Sequence, residues 1–229
     1  MIVCERKPFD EIRTKLGGCK KLLILGCGTC VSVCMAGGER EVEILATQLR
    51  MYAKKNGGDN EIGQATIQRQ CDPEYIEPII DMAKGYDELL SMACGAGVQM
   101  VANLLEPLPV LPAGNTRFIG VTEDEGNWAE QCRACGNCLL ADFGGICPMT
   151  MCAKSLVNGP CGGSQQGKCE VDKSQDCAWA RIIARLTKQG RLDTWGERPP
   201  LLKDYSRQQH PAHLVHEAYR TPGDEAHSK

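Results

Sequence analysis

The chain has 229 residues, 42% of them hydrophobic, and a formal net charge of -3, which suits one or two packed domains. Mild acidity, only 5% aromatic residues and the lack of any basic run argue against nucleic acid as a partner. Residues 1 to 209 contain no histidine but hold all fifteen cysteines, so imidazole chemistry is excluded from most of the chain and thiolate is its soft metal ligand.

The start, Met1-Ile-Val-Cys-Glu-Arg-Lys-Pro, is polar, and no run approaches eighteen apolar residues. Neither a secretion signal nor membrane insertion is expected, and the reading is cytoplasmic. In that reducing compartment a dense set of cysteines means metal or redox chemistry rather than cross-links.

After a short polar leader, Lys21 to Gly26 reads as a buried strand stopped by glycine. From about Val31 to Asn56 the apolar positions Val42, Ile44, Leu45, Leu49 and Tyr52 are spaced as on a helix, with Glu39 and Glu41 forming a charged first turn after Gly37-Gly38. Glu61 to Gln70 is a second strand, Pro73 to Gly85 a helix opened by Asp72-Pro73, and Asp87 to Cys94 a third strand. Gly95-Ala-Gly97 turns the chain into a short helix, Val98 to Leu105, and a fourth strand lies near Val110-Leu111. Strands alternating with helices imply a parallel sheet, so residues 1–125 are expected to form a small doubly wound, Rossmann-like α/β domain.

Residues 126–190 form a second region, in which eight cysteines and seven glycines fall between Cys132 and Cys177. Such a segment lacks the apolar content for a core of its own and is expected to fold around metal. A helix follows over Asp176 to Leu186, and residues 191–229 read as an extended, partner-contacting tail. Its regularly spaced His210, His213 and His216 are read as an accident of spacing or a partner contact rather than a metal site.

Two cysteine groups carry the chemistry. Cys27, Cys30 and Cys34 follow the first strand, Cys71 ends the second and Cys94 the third, so five thiols would meet at the carboxyl edge of the sheet, where open α/β folds bind ligands. Glycine-freed amides and a helix N-terminus there would favour thiolate and a negatively charged 4Fe-4S cluster, with Cys94 preferred and Cys71 the alternative as fourth ligand. The Gly26-x-Gly28 turn also suggests a dinucleotide site, but Val31 replaces the third fingerprint glycine.

The second group opens with Cys132-x2-Cys135-x2-Cys138, a ferredoxin-like way of offering three corners of a cube. Its fourth corner is open among Cys147, Cys152, Cys161, Cys169 and Cys177, and eight cysteines could also serve two centres. Four thiolates hold zinc as readily as iron, and spacing alone does not separate the two. No paired carboxylates or nucleophile–base set stands out, so catalysis by this chain alone is not expected.

With these residues in view, the chain resembles the small cysteine-rich subunit of the methylenetetrahydrofolate reductase of acetogens and related anaerobes, the MetV type. The likeness spans roughly residues 19 to 190 and rests on Gly26-Cys-Gly-Thr-Cys-Val31, Cys34-Met-Ala-Gly-Gly-Glu39, Cys94-Gly-Ala-Gly97, Cys132-Arg-Ala-Cys-Gly-Asn-Cys138, Gly144-Gly-Ile-Cys-Pro148, Asn158-Gly-Pro-Cys-Gly-Gly163 and Gly167-Lys-Cys-Glu170. It implies a TIM-barrel partner subunit carrying FMN or FAD, which reduces methylenetetrahydrofolate to methyltetrahydrofolate. It also implies an external electron donor and an electron-relay role for this chain through two 4Fe-4S clusters. Some members are described as zinc-binding, which leaves open a structural zinc at one site. The rival functions are a zinc-stapled assembly subunit of the same complex and a thiol-based methyl carrier or oxidoreductase acting through Cys94.

Overall fold

The computed structural model describes residues 1–208 and 211–219, and the chain divides after Ala129 into two compact units. The first is built on β1 (Ile2–Arg6), α1 (Phe9–Lys15), β2 (Lys21–Cys27), α2 (Cys30–Val33), α3 (Glu39–Lys55), β3 (Glu61–Ile67), α4 (Pro73–Ile76), α5 (Ile80–Ala83), β4 (Glu88–Ser91), α6 (Gly95–Leu104), β5 (Val110–Pro112), β6 (Gly114–Asp124) and β7 (Asn127–Cys132). Four strands form a sheet in the order β3-β2-β4-β5, with every pair parallel.

The sheet is doubly wound, as its strand–helix alternation implies, and the period of two along β2 shows how. Leu22 and Ile24 point into a core shared with Val42, Leu45 and Leu49 of α3. Leu23 and Leu25 point the other way, into a core with Ile76, Ala83, Val101 and Leu105. Six successive residues of β2 are therefore buried, Leu22 to Cys27, the mark of a strand covered on both faces. Each fully buried leucine or isoleucine here contributes roughly 1.5–3 kcal/mol.

Three elements differ from the sequence reading. The leader is not loose: β1 pairs antiparallel with β6, Ile2 opposite Ile119 and Arg6 opposite Gly114, and with β7 they form a second sheet ordered β1-β6-β7. A two-residue turn, Glu125-Gly126, joins β6 to β7, with Gly126 at φ 76°. The single helix expected from Val31 is two. One-turn α2 ends at Cys34, Met35 takes φ 55°, and α3 starts afresh at Glu39. The break has a steric cause, because Gly37 lies against the Met92 carbonyl so closely that no Cβ fits. Glu41 then accepts the Gly38 amide at 3.0 Å and caps α3. Finally, the helix expected over 73–85 is interrupted by a 3-10 turn at Glu77–Ile79, where Pro78 has no N–H to give.

A fully buried polar bracket fixes the carboxyl edge of the sheet. Gln70, just beyond β3, donates from Nε2 to the Leu25 carbonyl of β2 at 2.8 Å and accepts at Oε1 from the Ser91 hydroxyl of β4 at 2.6 Å. Ser91 Oγ in turn accepts the Ala93 amide at 3.3 Å. Gly97 of α6 packs where a Cβ would press on Gln70 and Ala93.

The second unit carries α7 (Pro148–Met151), α8 (Ala178–Lys188) and α9 (Leu192–Gly196). The cysteine-rich segment contributes Phe143 and Ile146 to a core completed by Trp179, Ile182 and Leu186 of α8. Phe143, Trp179 and Trp195 meet ring to ring, with Phe143–Trp179 at 5.6 Å and Trp179–Trp195 at 5.4 Å. Part of the tail is strapped to this unit. Asn158 exchanges two hydrogen bonds with the Leu201 backbone, at 2.9 and 2.7 Å, Arg198 pairs with Asp142 at 2.7 Å, and Lys203 Nζ donates to the Asn137 carbonyl at 2.8 Å. Among the described residues no helix is long and apolar enough to cross a membrane.

Replacing Gln70 with leucine strands the Ser91 hydroxyl and removes one acceptor bond at Leu25. The expected cost is about 1–3 kcal/mol, read as a lower urea midpoint with unchanged m-value.

Candidate metal centres

The five thiols expected at the carboxyl edge do stand there, whereas Cys19 lies before β2 at the opposite end of the sheet, beside Glu88. Cys27 is the last residue of β2, Cys30 opens α2, Cys34 follows it, Cys71 lies in the loop after β3, and Cys94 caps α6 after β4. The sheet order reverses between β2 and β4, the switch point at which such sheets open a crevice. Cys27 and Cys34 are buried in one apolar cluster with Val31, Ala36 and Ala93, against which Cys94 and Trp128 pack.

A sixth thiol belongs to this group, and the sequence reading missed it. Cys4 of β1 lies in the same cluster. Its amide donates to Cys34 Sγ at 3.3 Å, and Cys34 Sγ lies 3.5 Å from the Cys4 carbonyl. Burial pushes the Cys4 thiol up to about 11, and the neighbouring Cys94, Cys34 and Cys30 add to the rise. Cys34 is raised by burial too, and Cys71 by burial and then by Cys94 and Cys27. The one available signal was the alternation in Ile2-Val-Cys-Glu-Arg, too short to name a strand by itself.

The amide arrangement differs from the expected one. The Cys27 and Gly28 N–H groups are spent on the Gly37 and Ile67 carbonyls, each at 2.9 Å, so the backbone donor to sulfur comes from β1 instead. The helix beginning at Cys30 has a single turn and little dipole. Cys94 stands at the N-terminus of the ten-residue α6.

In the second unit Cys132 ends β7, and left-handed backbone at Ala134 (φ 50°) and Gly136 (φ 74°) bends the irregular stretch that carries Cys135 and Cys138. The Ala134 amide donates to Cys132 Sγ at 3.3 Å. Partial burial opposes ionisation of Cys135, but the Asn137 backbone and the Lys203 ammonium outweigh it and hold its pKa below the usual thiol value. Cys147 caps α7 and accepts from Thr150 Oγ1 at 3.6 Å. Cys152, Cys161, Cys169 and Cys177 line a cavity of about 20 Å³. At its rim Lys154 pairs with Glu170, whose carboxylate accepts from Cys161 Sγ at 3.5 Å.

All fifteen cysteines are free thiols. Among the described residues no three His, Cys, Asp or Glu side chains converge as a ready coordination sphere. The donor set nonetheless fits a thiophilic centre. In the first unit only sulfurs are at hand, histidine is absent, and the buried indole N–H of Trp128 has no acceptor among the described residues. Of the tail histidines, His210 lies outside the described residues, and His216 Nδ1 accepts the Ala218 amide at 3.2 Å.

Residues 111–206 match the family described as methylene-tetrahydrofolate reductase C terminal. The match runs from β5 through the cysteine-rich unit into the tail and ties this part of the chain to methylenetetrahydrofolate reductases. No curated protein and no solved structure matches the chain.

In protein stripped of metal and held reduced, Cys135 is expected to react with iodoacetamide at lower pH than the buried Cys4. A depressed pKa supplies thiolate early, whereas Cys4 stays protonated until the pH approaches 11. Peptide mass spectrometry across a pH series measures both.

Proposed function

We propose that this chain is the electron-carrying subunit of a MetV-type methylenetetrahydrofolate reductase complex. It takes electrons from an external donor and delivers them to the FMN or FAD of a TIM-barrel subunit that reduces methylenetetrahydrofolate. The observation that carries the reading is the set of six thiols, Cys4, Cys27, Cys30, Cys34, Cys71 and Cys94, from four separate stretches of chain at one sheet edge. The family match of residues 111–206 supplies the link to the reductase.

Bound 4Fe-4S clusters supply one-electron steps with little rearrangement. In the first unit Cys27, Cys30 and Cys34 would hold a cluster together with Cys94 or, as the alternative, Cys71, which lies near Cys94 and Cys27, and Cys4 is at hand. In the second unit Cys132, Cys135 and Cys138 would offer three corners, and Cys147 is the nearest in sequence for a fourth. The chain's own part is to exclude water and donate to sulfur. Val31, Ala36 and Ala93 wall the first group with apolar surface, and the Cys4 amide reaches Cys34 Sγ. Such contacts set a cluster's potential. Lys203 beside Cys135 offsets negative charge at the second group.

Anaerobically purified protein is expected to carry about eight iron atoms per chain, as two cubanes require, and to give a reduced-cluster electron paramagnetic resonance signal with dithionite. Cys30→Ser and Cys138→Ser should each remove roughly half of the iron. Zinc without iron in the wild type would reject electron relay and leave the zinc-stapled assembly role.

A further inference from the structure

We infer that Cys152, Cys161, Cys169 and Cys177 form a separate site for a single thiophilic divalent cation of the zinc class, distinct from the Cys132-Cys135-Cys138 group. The inference takes from the proposed function only that the cysteines bind metal; it does not depend on electron transfer. Its starting point is the cavity that these four side chains line together with Lys154 and Trp179.

Size argues for one ion. About 20 Å³ is close to the space that one water molecule needs, whereas a cubane core brings eight atoms. Four thiols and no histidine match the all-sulfur tetrahedral set of a closed structural zinc site.

The framework holds the four segments together without help from the ion. Cys152 ends the α7 turn, Cys177 caps α8, and both pack against the Phe143–Trp179 core. Cys169 is tied alongside Cys177. Its amide donates to the Gln175 carbonyl at 3.0 Å, the Cys177 amide donates to Gly167 at 2.7 Å, and Lys168 pairs with Asp176 at 2.7 Å. Left-handed backbone at Gln166 and Gly167, and at Gly162 next to Cys161, turns the chain sharply around these sulfurs. Cys161 sits on the most exposed of the four segments and acts as the closing ligand.

Charge is accommodated as well. Four thiolates and a dication leave a net charge of two minus, and Lys154 stands at the rim to offset part of it. Glu170 also lines the cavity, pairing with Lys154 through one carboxylate oxygen and accepting from Cys161 Sγ through the other, a hydrogen bond that is released when Cys161 ionises to bind the ion. Because the sulfurs line the wall without converging, binding draws them inward by side-chain rotation and releases their thiol protons, with no change of oxidation state.

The test uses the full chain purified anaerobically, with zinc and iron counted per chain. Cys161→Ser and Cys169→Ser are expected to lose one equivalent of zinc with the iron and the reduced-cluster signal unchanged, and Cys138→Ser the reverse. Zinc retained in both variants, or iron falling with them, overturns the inference. Should the variants not fold, wild-type protein exchanged into Co²⁺ is expected to show a tetrahedral cobalt spectrum with thiolate charge-transfer bands. Iodoacetamide protection of Cys161 and Cys169 should then be lost on chelation; no such protection would sink the site. Absence of iron from every sample, with zinc still lost from the Cys161 and Cys169 variants, would reject the relay and leave this site standing.

Discussion

The Gln70 bracket is the constraint on which the first unit depends. Parallel strands are joined along their length by backbone bonds, but their carboxyl ends open into loops whose geometry the ladder does not control. One buried amide spans β2 and β4 here, anchored to the Leu25 carbonyl and the Ser91 hydroxyl. Cys71 follows Gln70 directly, Cys27 lies two residues beyond Leu25, and Cys94 three beyond Ser91. A buried polar group with both partners satisfied rigidifies its surroundings. The same three positions that seal the sheet therefore set where three of the thiols can stand.

The two units present sulfur in different ways. In the first, apolar side chains bury Cys4, Cys27 and Cys34, and burial raises the pKa of Cys4 and Cys34. In the second, most cysteines lie in irregular chain and are only half-buried or exposed, with left-handed residues between them. The aromatic group Phe143, Trp179 and Trp195 gives this unit a core that does not rest on metal alone. Most of that core comes from α8, which agrees with the scarcity of apolar residues in the cysteine-rich segment itself.

The parallel sheet was legible because β2 is an unbroken apolar run and the turns around it are marked by glycine and proline. The placing of Cys27, Cys30, Cys34, Cys71 and Cys94 at one edge followed from topology, since each stands at the end of a strand or in the segment that follows it. Cys4 was not legible. β1 is five residues long, carries charge at Glu5 and Arg6, and exists because β6 pairs with it from the far end of the unit. A pairing over that sequence distance leaves little local pattern. The helix break before α3 was hidden for a related reason. Gly37 is dictated by the Met92 carbonyl, a neighbour that only the folded sheet supplies. In the second unit the count of cysteines was plain, but their grouping depends on turns set by Ala134, Gly162 and Gly167, whose left-handed backbone no spacing rule reveals.

The pairing of Ile2 with Ile119 also bears on biosynthesis. A nascent chain can form its parallel sheet, and bring together five of the six thiols, before β6 has been translated. Cys4 reaches them only when β6 emerges and zips onto the first strand, a late step of high contact order. Until then the apolar cluster around Cys27 and Cys34 lacks its cover of Val3 and Cys4, so the flank that β1 closes is the last part of this unit to be sealed.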